Sequence, residues 1–116
     1  MTQKPTIGVM GAGMVGGATI RYFQTAGYPV VAYDPDPNKN FLDPKLVADA
    51  AYIFICVPTP YEAENGGFSL AYVHQALDML PENKTVIIKS TVLPGSTEAL
   101  QEKYPKLKIL FNPEFL

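Results

Sequence analysis

The chain of 116 residues contains one cysteine, one histidine and no tryptophan. A single thiol cannot close an internal disulfide. One Cys with one His argues against a zinc site. Basic residues are also few. Nine Lys and Arg against eleven Asp and Glu leave a net charge of −2, with no basic stripe. That balance argues against a nucleic-acid footprint or a membrane-surface patch. Tyr22, Tyr33, Tyr52, Tyr61, Tyr72 and Tyr104 are scattered over element ends and loops and form no stacking stripe. No apolar run approaches the roughly 18–20 residues of a membrane helix. The opening residues, Met1 to Thr6, carry no apolar leader core, so a cytoplasmic location is expected.

What is present is an alternation of short apolar runs and helical periods, the sequence form of a parallel α/β sheet. The length suits one domain, residues 1–116. Thr6–Met10 is a β-rich run leading into glycines. Met14–Ala26 has helical spacing through Val15, Ala18, Tyr22, Phe23 and Ala26, with Gly27 where a helix-ending glycine belongs. Pro29–Asp34 reads as a second strand, and Lys45–Ala48 as a short helical turn. Ala51–Val57 reads as a third strand, apolar throughout and so covered on both faces. A polar loop, Thr59–Gly67, precedes a helix over Leu70–Leu80. Thr85–Lys89 is a fourth strand, Thr97–Tyr104 a helix, and Leu107–Phe111 a fifth strand.

A full dinucleotide-binding sheet has six strands in the order 3-2-1-4-5-6. The segment from Asp34 to Ala51 is too short for an extra strand with two crossovers, each needing roughly a dozen residues. The spacing therefore predicts a doubly wound, Rossmann-like sheet of five parallel strands in chain order 2-1-3-4-5, with helices on both faces.

The most informative motif is Gly11-Ala12-Gly13-Met14-Val15-Gly16. It follows a strand, opens a helix and lies in a βαβ unit, which is the context a dinucleotide fingerprint requires. Gly11 permits a tight turn. At Gly13 a side chain would collide with a pyrophosphate. Gly16 lets the helix pack closely, and the first-turn N–H groups face the phosphates. Asp34 closes the second strand, where a carboxylate accepts the hydroxyls of an adenosine ribose and repels a 2′-phosphate. No basic residue follows it before Lys39. NAD is therefore preferred over NADP. The plainer alternatives are a glycine turn with no ligand and a solvated aspartate.

The later strands end in Val57-Pro58-Thr59-Pro60, Lys89-Ser90-Thr91-Val92 and Asn112-Pro113-Glu114-Phe115-Leu116. All three ends are expected at one sheet edge, where open α/β sheets bind ligands. Singly, Thr59 could cap a turn and Glu114 could be an exposed carboxylate.

Together, GAGMVG, VPTP, KSTVLPGST and NPEFL resemble the N-terminal domain of the UDP-glucose/GDP-mannose dehydrogenase family, from Ile7 to Leu116. VPTP and NPEFL are the more specific motifs. The family oxidises the C6 hydroxyl of a nucleotide sugar to a carboxylate with two NAD. The resemblance implies that Gly11, Ala12, Gly13, Met14, Val15, Gly16 and Asp34 hold the adenosine and pyrophosphate. It places Val57, Pro58 and Thr59 along the cofactor. Thr91 would touch NAD and position a catalytic water. Glu114 would do acid/base or water-orienting work. Phe115 and Leu116 would begin the segment that grips the sugar nucleotide.

There are departures. The loop after Asp34 is short, and Ser69-Leu70 stands where the family usually has Asp-Leu. The family's long central helix, catalytic lysine and asparagine, and nucleophilic cysteine are expected on a second half outside these residues. The chain alone is therefore expected to be inactive. Cys56, inside AYIFICV, reads as a core-filling residue in a strand centre. His74 reads as part of a solvated helix face, and Lys89 as an edge residue that could touch cofactor or substrate. Expected partners are NAD(H) and, with the second half, a nucleotide sugar. Nucleic acid and membrane are not expected. The alternatives are a stand-alone NAD-binding or sensing module and a domain of a β-hydroxyacid-type dehydrogenase.

Overall fold

The computed structural model describes residues 4–62, 67–93 and 95–112. In chain order they form β1 (Ile7–Met10), α1 (Met14–Thr25), β2 (Val30–Tyr33), α2 (Pro44–Ala48), β3 (Tyr52–Ile55), β4 (Tyr61–Glu62), β5 (Gly67–Phe68), α3 (Ala71–Asp78), β6 (Thr85–Ile88), α4 (Ser96–Lys103) and β7 (Lys108–Phe111). Five strands make one parallel sheet in the order β2-β1-β3-β6-β7. Counted among its own strands, this is the order 2-1-3-4-5 expected from the sequence. Between β2 and β3 the described residues hold only a 3-10 turn, Pro37–Lys39, and α2. Asp36 and Asp43 cap these two pieces, accepting from the Asn38 N–H at 3.0 Å and the Lys45 N–H at 2.9 Å. Each is followed by a proline in the first helical position, a strong start signal.

β4 and β5 pair as a small antiparallel hairpin, Tyr61 opposite Phe68. The sequence reads this stretch as loop, because two-residue strands carry no period. Helix α1 ends as expected, with Gly27 at φ 88° just beyond it.

Two apolar clusters lie on the two faces of the sheet. Ile53, Ile55, Val86, Ile88 and Ile109 pack with Val47 of α2, Val73 and Leu77 of α3, and Leu100 of α4. Ile7, Val9 and Ala32 pack with Ile20 of α1, with Phe23, Phe54 and Cys56 around them. Burying side chains of this size stabilises the fold by about 1.5–3 kcal/mol each. The second cluster is smaller, because α1 is the one described helix that contributes to it. Strand β3 is accordingly not covered on both faces as expected: Tyr52 is 44% exposed and Phe54 only partly buried. An apolar run does not show which face lacks a helix. Among the described residues, no helix is long and apolar enough to cross a membrane.

Candidate functional site

The parallel register brings every strand of the sheet to a common carboxyl edge. The last ladder row is Tyr33, Met10, Ile55, Ile88 and Phe111. One residue beyond it, backbone hydrogen bonds still tie the strand ends. Gly11 N–H donates to Tyr33 O at 2.8 Å, Cys56 N–H to Met10 O at 2.8 Å, Lys89 N–H to Ile55 O at 2.8 Å and Asn112 N–H to Ile88 O at 2.9 Å. In spatial order the edge is Asp34, Gly11, Cys56, Lys89 and Asn112.

A groove of about 950 Å³ runs along this edge. Gly11, Gly13, Met14, Val15, Asp34, Val57, Pro58, Thr59 and Thr91 all line it, so the topology unites these residues from four separate stretches of sequence. Ala12 and Gly16 stand behind it, both buried. Glu114, Phe115 and Leu116 lie outside the described residues.

Each glycine of the loop has a separable cause. Gly11 adopts φ 95°, and a Cβ there would come within 2.8 Å of the Cys56 carbonyl oxygen. A Cβ on Gly16 would stand 1.7 Å from the Gly11 carbonyl oxygen, so α1 can seat on the loop only without a side chain. Gly13 differs. Its φ is −76° with ψ −147°, so no left-handed backbone calls for glycine, and among the described residues no atom lies within 4 Å of where its Cβ would be. No neighbouring atom of the described residues demands glycine there, and a side chain would project into open space at the groove. Gly13 is also the N-cap of α1, with no side-chain cap and no acidic residue in the first turn. The helix thus presents first-turn N–H groups and its positive dipole end with no side-chain cap and no acidic residue of its own first turn, the Asp34 carboxylate standing one residue earlier on the Ala12 N–H. That opening fits a diphosphate.

Asp34 is half-buried beside the loop. Its carboxylate accepts the Ala12 N–H at 2.7 Å through Oδ2 and the Asp36 N–H at 2.8 Å through Oδ1. Each oxygen keeps a lone pair for a further donor, as a ribose diol would need. Lys39 also lines the groove, because the 3-10 turn folds it back towards Asp34 and Asp36. Its distance in sequence conceals this.

At the other end, the segments after β3 and β6 are joined by hydroxyls. Thr59 Oγ1 donates to Thr91 O at 2.6 Å, and Ser90 Oγ donates to Val57 O at 2.7 Å. Sequence reasoning did not single out Ser90 or the wall supplied by α3, where Tyr72, Gln75 and Met79 line the groove. The signal in the sequence was two large side chains, Tyr72 and Met79, set off the apolar stripe of Leu70, Val73, Leu77 and Leu80; they are 44% and 43% exposed.

Two sequence expectations require correction. Cys56 is not in a strand centre. β3 leaves the ladder at Ile55, so Cys56 stands at the ligand edge, half-buried and lining the groove. Its Cβ would be 3.3 Å from a Cβ on Gly16, which places it under the glycine loop against α1. His74 is not on a solvated face. It is half-buried, its Nδ1 3.2 Å from the Tyr104 hydroxyl, which itself donates to Asp78 Oδ1 at 2.7 Å. Burial lowers the His74 pKa from 6.5, helped by Lys103 and opposed by Asp78. Burial, then the hydrogen bond to the Asp78 carboxylate and its charge, pushes Tyr104 up to about 12. This cluster joins α3 to the end of α4, a contact that the period of one helix cannot show.

The family model for the UDP-glucose/GDP-mannose dehydrogenase family, NAD binding domain, matches residues 42–116. The UDP-glucose 6-dehydrogenase of Streptococcus pneumoniae is 37% identical over 79 residues, covering 65% of this chain and 20% of that protein. The chain thus spans about a fifth of the length of this curated relative. Among solved structures, a UDP-glucose dehydrogenase from the hyperthermophilic archaeon Pyrobaculum islandicum superposes with a TM-score of 0.78 at 26% identity. That match covers 98% of this chain and 37% of that one. The 3-hydroxyisobutyrate dehydrogenase of Mycobacterium tuberculosis superposes at 0.71 with 19% identity, over 96% of this chain and 40% of that one. That likeness shows a common fold alone. With the family match over more than half of its length, on a sheet whose glycine loop and Asp34 edge suit a dinucleotide, the chain belongs to the UDP-glucose/GDP-mannose dehydrogenase family as its NAD-binding domain.

Proposed function

We propose that residues 1–116 form a single domain that holds NAD(H) along the carboxyl edge for the oxidation of a nucleotide sugar at C6, alcohol to carboxylate. Asp34 takes the adenosine ribose. The loop Gly11–Gly16 and the first turn of α1 take the diphosphate. Val57, Pro58, Thr59 and Thr91 line the nicotinamide end. The observation that carries this reading is Gly13: among the described residues no atom stands near where its Cβ would be, and the position opens onto the groove at a helix start with no side-chain cap. When bound, NAD supplies the hydride acceptor. The protein's own groups hold it, orient it and exclude water. Thr91 positions a water, Glu114 handles a proton, and Phe115 and Leu116 begin the grip on the sugar nucleotide, roles that the family resemblance assigns.

The second oxidation needs an aldehyde held while another hydride leaves, which a nucleophilic cysteine does by splitting one hard step into two. We assign that role to another cysteine: Cys56 lines the groove but sits under the glycine loop, against α1. We place the nucleophile and most of the sugar-nucleotide grip on further polypeptide of the kind the longer relatives possess. The test is NADH formation by the purified 116-residue chain with UDP-glucose or GDP-mannose, alone and with a second-half polypeptide of the family. Turnover only in the combined sample is expected. Turnover by the chain alone that disappears in Cys56→Ser would contradict the division of labour.

A further inference from the structure

We propose that Ser90 and Thr59 are positioning residues for the nicotinamide half of the dinucleotide, acting through a reciprocal pair of hydroxyl-to-carbonyl hydrogen bonds. The inference rests on the groove being the NAD site. Two segments leave the sheet side by side, 56–60 after β3 and 89–93 after β6. The Ile55 carbonyl accepts both the Lys89 N–H at 2.8 Å and the Ser90 N–H at 3.2 Å. Among the described residues, backbone bonds between the two segments stop there. Pro58 has no N–H with which to extend the ladder. Beyond that row the connection passes to side chains. Ser90 Oγ donates across the gap to Val57 O at 2.7 Å, and Thr59 Oγ1 donates back to Thr91 O at 2.6 Å. Each segment gives one hydroxyl and one carbonyl.

Two features set this pair apart from ordinary loop bonding. Ser90 is only 7% exposed, so its bond to Val57 is shielded from competing water. Both bonds also link residues more than thirty positions apart, so they fix the spacing of two strand ends rather than the shape of one turn. Val57, Thr59, Ser90 and Thr91 all line the groove.

The strand order localises the effect. Asp34 follows β2, the glycine loop follows β1, and the stitched segments follow β3 and β6, in that spatial sequence. A dinucleotide with its adenosine ribose on Asp34 and its diphosphate at the start of α1 must extend its remaining half over β3 and β6. The stitch lies beneath that half and no other. Loosening it moves the wall at one end of the groove and leaves the Asp34 end as it was.

The test compares NAD+ with ADP, which carries the adenosine and diphosphate without the nicotinamide half. Calorimetric titrations would use the unaltered chain, Ser90→Ala, Thr59→Val and Thr59→Ser. A single intramolecular hydrogen bond is commonly worth a factor of about two to ten, so Ser90→Ala and Thr59→Val should each weaken NAD+ by about that factor. ADP affinity should change by less than about twofold, and Thr59→Ser, which keeps the hydroxyl, should recover most of the NAD+ affinity that Thr59→Val loses. Ser90→Ala also leaves the Val57 carbonyl without its partner. If that variant does not fold, Ser90→Cys, which fills the same space with a weaker donor, carries the test in its place, because Thr59 itself lines the cofactor. Equal losses for NAD+ and ADP would reduce the stitch to general structural support and overturn the proposal, as would unchanged NAD+ binding. If the unaltered chain binds neither ligand, the reading of the groove fails, an outcome distinct from failure of the stitch.

Discussion

The Asp34 carboxylate accepts the backbone N–H of Ala12 at 2.7 Å, so the end of β2 holds the glycine loop that follows β1. The residue read as a ribose ligand is therefore also a clamp on the phosphate loop. Its two functions sit on one side chain, with Oδ1 engaged by the Asp36 N–H at 2.8 Å. Removing the carboxylate should affect both.

Asp34→Ala should weaken NAD+ by about 1–3 kcal/mol, the scale of losing a charged acceptor, and should lower the preference for NAD+ over NADP+. Asp34→Asn keeps an acceptor for Ala12 and loses the charge. It should retain more of the loop's order while still losing discrimination. Calorimetry with both cofactors, alongside amide exchange at Ala12, separates the two roles.

Gly13 and Gly16 should respond in opposite ways to alanine. Gly13→Ala meets no atom of the described residues within 4 Å and should cost far less thermal stability than Gly16→Ala while weakening NAD+ by tenfold or more, on the order of 1.4 kcal/mol. Gly16→Ala places a Cβ 1.7 Å from the Gly11 carbonyl oxygen and should destabilise the fold by about 1–3 kcal/mol or more. Melting curves and titrations on both variants check this. Equal destabilisation would remove the argument that Gly13 exists for a ligand.

How far the sequence revealed this arrangement depended on the kind of contact. Strand order was legible because the short stretch between Asp34 and Ala51 leaves no room for another strand. The glycine loop was legible because its spacing follows from local sterics. The ends of β3 and β6 were recognisable as motifs, yet the hydroxyl pair between them was not, since Ser90 and Val57 become neighbours only when the two strands align. The same holds for Gln101, whose side chain donates to Leu107 O at 2.6 Å and accepts the Ile109 N–H at 2.9 Å to tie α4 to β7. Cys56 was misplaced because an apolar run does not show where a ladder stops. His74 was misplaced because its partner, Tyr104, comes from another element.

Burial of His74 and Tyr104 in that cluster, beside Lys103 and Asp78, gives a pH dependence. The folded pKa of His74 lies below its ordinary 6.5, so the folded state favours the neutral ring. Its contribution is fully present above pH 6.5 and is lost as the pH falls below that value. Tyr104 runs the other way: raised from 10.0 to about 12, it contributes below pH 10 and loses that contribution as the pH rises towards 12. Melting temperature should therefore decline on both sides of a plateau. His74→Gln should flatten the acid side and Tyr104→Phe the alkaline side. Thermal melts across the pH range check each arm separately.

The central claim is that the edge from Asp34 to Thr91 is an NAD site, and the most direct measurement is calorimetric titration of the 116-residue chain with NAD+ and NADP+ under identical conditions. The carboxylates of Asp34 and Asp36 at the ribose end predict one-site binding with NAD+ tighter by about tenfold or more, despite Lys39 in the same groove. Equal or tighter binding of NADP+, or no binding of either, would contradict it.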